Sequence, residues 1–144
     1  MENITVNSPV RFAKKEDIDA IHHLLDMEPF KYDNSLPYQR SWIKQLIINK
    51  RCITLVYETE GIIKGFISGE KLVSGNVMIW FCAVKKEYQH RVIGGRLYFE
   101  FENVCKQIGI KGILAYGYKT SVNMLRKLQF FTNEKKYLEF YKVL

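Results

Sequence analysis

Between Ile93 and Ile108 apolar residues recur at intervals of four, four, three and four (Ile93, Leu97, Phe101, Val104, Ile108), and this spacing predicts an amphipathic helix that stops near Gly109. Two further stretches carry the same period. In "EDIDAIHHLLDM", Ile18, Ile21, Leu24 and Leu25 form the apolar face, and acids occupy the first turn where the helix dipole favours them. In "YQRSWIKQLIINK" the inward residues are Trp42, Ile43, Leu46 and Ile47. Elsewhere the patterning is that of strands. "PVRFA" (9–13) is a short one, and "CITLVYE" (52–58) and "IIKGFISGEKL" (62–72) flank a Thr59-Glu60-Gly61 turn as a hairpin. "VMIWFCAV" (77–84) is apolar almost throughout and predicts a central strand buried on both faces. "KGILAYGY" (111–118) is a further strand. "TSVNMLRKLQ" (120–129) is a short helix capped by Thr120 or Ser121, and the remaining residues read as strand, turn and strand. The polar stretch 28–37 is a loop with a proline near each end. The order is β-α-α-β-β-β-α-β-α-β-β. Strand-helix-strand in the second half requires parallel pairing there, and the hairpins require antiparallel pairing elsewhere. The fold class is therefore α/β, an α+β mixed sheet with helices on both faces, in a single domain spanning 1–144.

Composition is that of an ordinary globular chain, 47% hydrophobic and 26% charged. The beginning of the chain has no apolar signal region, and no apolar run approaches the length of a membrane span, so a cytoplasmic protein with no membrane partner is expected. Cys52, Cys82 and Cys105 form no CxxC pair and are expected to be reduced and mostly buried. The three histidines, at 22, 23 and 90, have no zinc spacing, so no metal is expected. Charge changes the picture more. Residues 1–84 hold ten Lys and Arg against ten Asp and Glu. Residues 85–144 hold twelve against five and carry the whole +7. An anionic partner for the second half is expected, either a phosphorylated cofactor or a nucleic acid. No nucleic-acid-binding signature supports the second.

The chemistry-bearing segment is "EYQHRVIGGRLYFEF" (87–101). Gly94-Gly95 sits in the first turn of the strongest helix, where glycine is unfavourable by about 1 kcal/mol relative to alanine. Gln89, His90 and Arg91 crowd in just ahead of it. A helix start offers unpaired N–H groups and partial positive charge, and glycine keeps the approach clear. "QHRVIGG" is thus a candidate pyrophosphate cradle, with Arg91 and Arg96 as cationic helpers. A plain strand-to-helix turn that contains Gly-Gly fits the same residues.

Strand 77–84 followed by "AVKKEYQHRVIGGRLY" resembles the acetyl-CoA motif of the GNAT acyltransferases, V-x-P-x-[YF]-[QR]-x-x-G-x-[GA]-x-x-L, through Val84, Tyr88, Gln89, Gly94 and Leu97. "SVNMLRKLQF" (121–130) resembles the family's later "[LM]-x-x-K-L-G-F" motif, and the order of elements matches along essentially the whole chain. Departures are Val92 at the first motif glycine, Lys86 at the proline and Gln129 at the last glycine. The resemblance implies the GNAT acyl-CoA N-acyltransferase fold, acetyl-CoA as cosubstrate and a primary amine, on a small molecule or peptide, as acceptor. It also implies a tendency to homodimerise. In such a fold the central strand splays from its parallel neighbour. Backbone groups of Cys82, Ala83 and Val84 would then follow the pantetheine, and N–H groups of Gln89, His90, Arg91, Val92, Ile93, Gly94 and Gly95 would hold the pyrophosphate. A catalytically silent module binding acyl-CoA or a protein partner is the alternative, motivated by Val92 and Gln129.

The resemblance also implies a tyrosine four residues before the last motif glycine, which would protonate the departing thiolate. That position is Leu125 here. Tyr118, then Tyr116, then Ser121 are the substitutes. For the acceptor, Glu28, Asp33 and Glu70 are candidate binding residues. The loop "DMEPFKYDN" holds three acids, Asp26, Glu28 and Asp33, against one lysine, which favours a cationic amine of the polyamine, lysine or aminoglycoside kind. His22 and His23 read as surface residues of an amphipathic helix, His90 as a phosphate or solvent contact, and Cys82 as a buried thiol.

Overall fold

The computed structural model describes residues 3–26, 39–89, 92–116, 127, 131–132 and 139–144. Its elements are β1 (Val10–Phe12), α1 (Ile18–Leu25), α2 (Arg40–Ile48), β2 (Cys52–Thr59), β3 (Ile62–Lys71), β4 (Val77–Val84), α3 (Ile93–Gln107), β5 (Gly112–Tyr116), β6 (Phe131–Thr132) and β7 (Glu139–Val143). The strands form one mixed sheet in the order β1-β2-β3-β4-β5-β7-β6. Among the described residues only β4 and β5 pair in parallel, as the strand-helix-strand order required. The predicted loop 28–37 and the predicted helix 120–129, apart from Lys127, lie outside the described residues. No described helix is long and apolar enough to cross a membrane.

Two apolar layers hold the sheet. On one face α3 buries Ile93, Leu97, Phe101 and Val104 against Ile53, Leu55, Ile67, Val77 and Ile113. On the other, Ile21, Leu24 and Leu25 of α1 and Ile43 of α2 pack on Val56, Phe66 and Ala83. Two glycines set the depth of the α3 layer. A Cβ at Gly65 would come within 3.1 Å of Leu97, and one at Gly69 within 2.6 Å of Phe101, so the helix rests directly on the backbone of β3. The β2–β3 turn is a two-residue hairpin with positive φ at both Glu60 and Gly61, the geometry whose twist matches paired strands.

Polar joints tie the periphery down. Arg11 of β1 donates to both Asp17 oxygens at 2.7 and 3.0 Å and to Glu58 at 2.6 Å, while the Lys14 N–H donates to Asp17 at 2.7 Å. The fully buried Glu100 of α3 accepts the Asn7 N–H and side-chain amide and pairs with Arg96. Across the helix, Glu102 accepts the Tyr98 hydroxyl at 3.0 Å and pairs with Lys142 of β7. Thr54, in the sheet centre, donates to the Leu46 carbonyl at 2.5 Å and is bonded to Ser68 at 2.7 Å, which pins the last turn of α2.

Two sequence expectations need correction here. Trp42 is 40% exposed, because Ile43 and Leu46 already fill the α2 contact and the indole is left edge-on to Phe81. β4 is not buried on both faces along its length: Trp80 is 46% exposed. The cause is local: the register of β4 against β3 shifts at Trp80, which has no partner on β3.

Candidate active site

The partner of β4 changes halfway along it. On one side β3 stays paired from Lys71 to Gly65, as far as Val84. On the other, β5 pairs with Val77, Met78 and Ile79 alone, and its next residue, Tyr116, pairs only with Glu139 of β7. Among the described residues a gap opens between the parallel strands beyond Ile79. Antiparallel pairs alternate between hydrogen-bonded and non-bonded positions. Lys85 N–H donates to the Lys64 carbonyl at 2.8 Å, so Ala83, two residues earlier, also directs its backbone groups at β3. Cys82 and Val84 therefore turn their N–H and C=O groups into the gap. Of the three residues expected to offer backbone here, Ala83 is the exception: its groups are spent on the ladder. The Gln89 side chain donates to the Val84 carbonyl at 3.0 Å, which closes the strand end and leaves the Val84 N–H facing the gap.

The chain then enters α3. No side chain caps this helix at Val92, and no acid lies in its first turn. A Cβ on Gly94 would meet nothing nearer than Val84 at 3.9 Å, and one on Gly95 nothing within 4 Å. These glycines are therefore not required by protein packing. Unobstructed helix N–H groups at the mouth of a gap fit a bound phosphate. Val92 is 80% exposed, so its branched side chain stands away from the core, while Ile93 points into the core and offers only backbone. Arg96 does not serve as a free cation: it pairs with Glu100, reaches the Ser8 carbonyl at 3.5 Å and lies over the Phe99 ring. Lys64, from the charge-neutral half, sits over the Tyr88 ring at 4.7 Å beside the same loop.

The end of β4, with backbone groups turned outward, runs into an uncapped helix with open glycines. The sequence pattern of the Acetyltransferase (GNAT) family matches residues 18–130. The chain belongs to the GNAT acetyltransferase family. Among solved structures it is similar to a ribosomal-protein-alanine N-acetyltransferase from Brucella melitensis, with 17% identity, a TM-score of 0.80, and 94% of this chain and 99% of that one covered. An N-acetyltransferase from Staphylococcus aureus Mu50 gives 16% identity and a TM-score of 0.78 over 95% and 98% of the two chains. The PaiA N-acetyltransferase from Thermoplasma acidophilum, solved with coenzyme A, gives 17% and 0.69 over 97% and 99%. No curated protein matches.

Within this GNAT sheet the structure brings Cys82, Val84, Gln89, Val92, Gly94 and Gly95 to one end, around the gap. Tyr116 closes β5 on the gap's other side. His90, Arg91, Tyr118, Ser121, Glu28 and Asp33 lie outside the described residues. The Cys82 thiol is half-buried, and desolvation pushes it up to about 11, which keeps it protonated and unsuited to attack. Cys105 is fully buried and higher still, at about 12. Cys52, expected to be buried, is half-exposed; it lies on β2 at the edge of a pocket.

That pocket, of about 360 Å³, was not legible in the sequence. It lies between α2 and the sheet and is lined by Trp42, Asn49, Cys52, Glu70, Trp80 and Phe81. A bulge in β4 builds it. Gly69 stands opposite Ile79 and Ser68 opposite Phe81, so Trp80 is an extra residue with no partner in the ladder. Ile79 and Cys82 pack on the α3 side, whereas Phe81 and Ala83 pack on the α2 side. The bulge thus presents two consecutive aromatic side chains to one pocket. Glu70 lies within it and accepts the Trp80 indole N–H at 3.1 Å. The signal available beforehand was faint: two tryptophans on elements whose apolar quota was already met.

Proposed function

We propose that this protein transfers the acetyl group of acetyl-CoA to a primary amine. The observation that carries the reading is the gap beyond Ile79, where Cys82 and Val84 turn backbone groups outward directly ahead of the open, uncapped start of α3. The edge of β4 suits an extended amide-bearing arm, which would pair as a further strand. The N–H groups from Val92 to Gly95 suit the pyrophosphate, and Gln89, His90 and Arg91 precede them in the sequence. The Val84 N–H is the candidate donor to the oxyanion that forms when the amine attacks the thioester carbonyl. In that step the ammonium first loses a proton to solvent. The nitrogen lone pair then forms the C–N bond, the C–S bond breaks, and the second nitrogen proton ends on the coenzyme A sulfur. Tyr118, Tyr116 and Ser121 are the candidates to relay it, in that order. A tyrosine, with an ordinary pKa near 10, is a better acid than serine.

Thiol release from acetyl-CoA, measured against a panel of amines and amine-bearing peptides, tests the reading. Release that depends on an amine is expected. Tyr118→Phe should lower kcat by about 10²-fold or more if that phenol is the acid. Tight coenzyme A binding with no release for any amine would overturn the transferase reading in favour of a silent acyl-CoA-binding module.

A further inference from the structure

The pocket walled by Trp42, Trp80 and Phe81 has a composition that discriminates among amines. Its three aromatic rings offer apolar and cation-attracting faces. Among the described residues the only acid lining it is Glu70, whose Oε2 takes the indole N–H and whose Oε1 has no partner there. At about 360 Å³ it lies in the range of sites that enclose small molecules. It also adjoins the gap, because Trp80 and Phe81 are the first β4 residues beyond the pairing with β5 among the described residues. Its rear wall is fixed, since the Thr54 and Ser68 hydroxyls hold the end of α2 to the sheet.

We propose that this pocket is the acceptor site and that it takes a small primary monoamine with an apolar, preferably aromatic, body, its ammonium at Glu70 and its body against Trp42, Trp80 and Phe81. The assignment rests on the transferase reading above and narrows it. One carboxylate balances one ammonium. A polyamine or aminoglycoside would bring further cations into a pocket with no second carboxylate among the described residues, at a desolvation cost that the aromatic faces offset only in part. This departs from the polyamine, lysine-like or aminoglycoside-like acceptor that the acidic loop 26–34 favours in the sequence.

The test uses the full chain with coenzyme A present. Calorimetry measures binding of 2-phenylethylamine, its neutral counterpart 2-phenylethanol, spermidine and an alanine-initiated tripeptide, and thiol release from acetyl-CoA measures turnover. We expect 2-phenylethylamine to bind at least tenfold more tightly than 2-phenylethanol and to be turned over with a kcat/KM at least tenfold above spermidine or the tripeptide. Glu70→Gln should lower that kcat/KM at least tenfold with coenzyme A affinity unchanged. Trp42→Ala, at a half-exposed position whose loss leaves the core intact, should raise the KM for 2-phenylethylamine. Preference for spermidine or the tripeptide, or indifference to Glu70→Gln, overturns the assignment and leaves the transferase reading standing. Glu70-dependent binding of 2-phenylethylamine with no thiol release for any amine does the reverse: it supports the pocket's ligand class and overturns the transferase reading.

Discussion

One missing methyl group separates two accounts of Gly95. In a helix that served only to pack, alanine would be the better residue by up to about 1 kcal/mol. The structure offers no packing reason to refuse it, since nothing lies within 4 Å of the added Cβ. Gly95→Ala is therefore expected to hold or raise the melting temperature while weakening coenzyme A binding, two changes of opposite sign that calorimetry and thermal melts read separately. Unchanged affinity would remove this turn from the phosphate site. Single residues were unevenly legible in the sequence. Gly94-Gly95 stood out because they violate helix propensity. Trp42 and Trp80 did not, because an apolar residue on an apolar element is assumed to be core. Only the packing of α2 and the bulge in β4 reveal otherwise.

Elements were the most legible level. The periods of α1, α2 and α3 and of the strands came through because each element's buried face is a local property of its sequence. What joins elements did not come through. Arg11, Asp17 and Glu58 are separated by up to 47 residues and meet only in the fold, where Arg11 locks β1 to the turn ahead of α1 and to β2. Burial raises the Asp17 pKa, but the Arg11 bonds and the Lys14 N–H outweigh it, and the net value lies below that of an ordinary carboxylate. Because the folded value is the lower one, the contribution is complete above the unfolded value of about 3.9 and is lost as pH falls through the folded value. Thermal melts between pH 6 and pH 2.5 should show wild type losing stability at the acid end. Asp17→Asn should start less stable at pH 6 and decline less steeply over the same range. Arg11→Ala should cost about 2 kcal/mol at neutral pH, since it strands a buried carboxylate. Equal slopes for wild type and Asp17→Asn would show that the joint contributes nothing to acid sensitivity.

For the whole molecule, the +7 confined to residues 85–144 points to an anionic ligand, but not every cation in that half is available to one. Arg96 is paired with Glu100, and Lys106 and Lys142 with Glu102. Lys64, from the half that sums to zero, lies next to the β4–α3 loop instead. Sequence halves are not surface patches, and the fold redistributes charge between them. Coenzyme A affinity should fall as ionic strength rises. Arg91→Ala should weaken it by about 1.5–3 kcal/mol if the guanidinium meets phosphate. The fitting control is Lys111→Ala. It belongs to the same basic half but precedes β5 at the end of the sheet away from the gap, and it should leave affinity unchanged. Equal losses in a titration of both variants would make the charge effect diffuse rather than local.

Trp80 carries a last implication, for chain length rather than chemistry. Ile79 and Phe81 already face opposite sides of the sheet and oppose the adjacent residues Gly69 and Ser68. Excising Trp80 would bring them into direct succession with the alternation of β4 unbroken on either side. Removing Cys82 instead would send Ala83 and Val84 to the wrong faces. A scan of single-residue deletions along β4 should therefore find one tolerated cut inside a central strand, at Trp80, giving a protein that melts like the parent and has lost a wall of its pocket. The sheet can close without this residue, so its deletion separates what the pocket needs from what the fold needs.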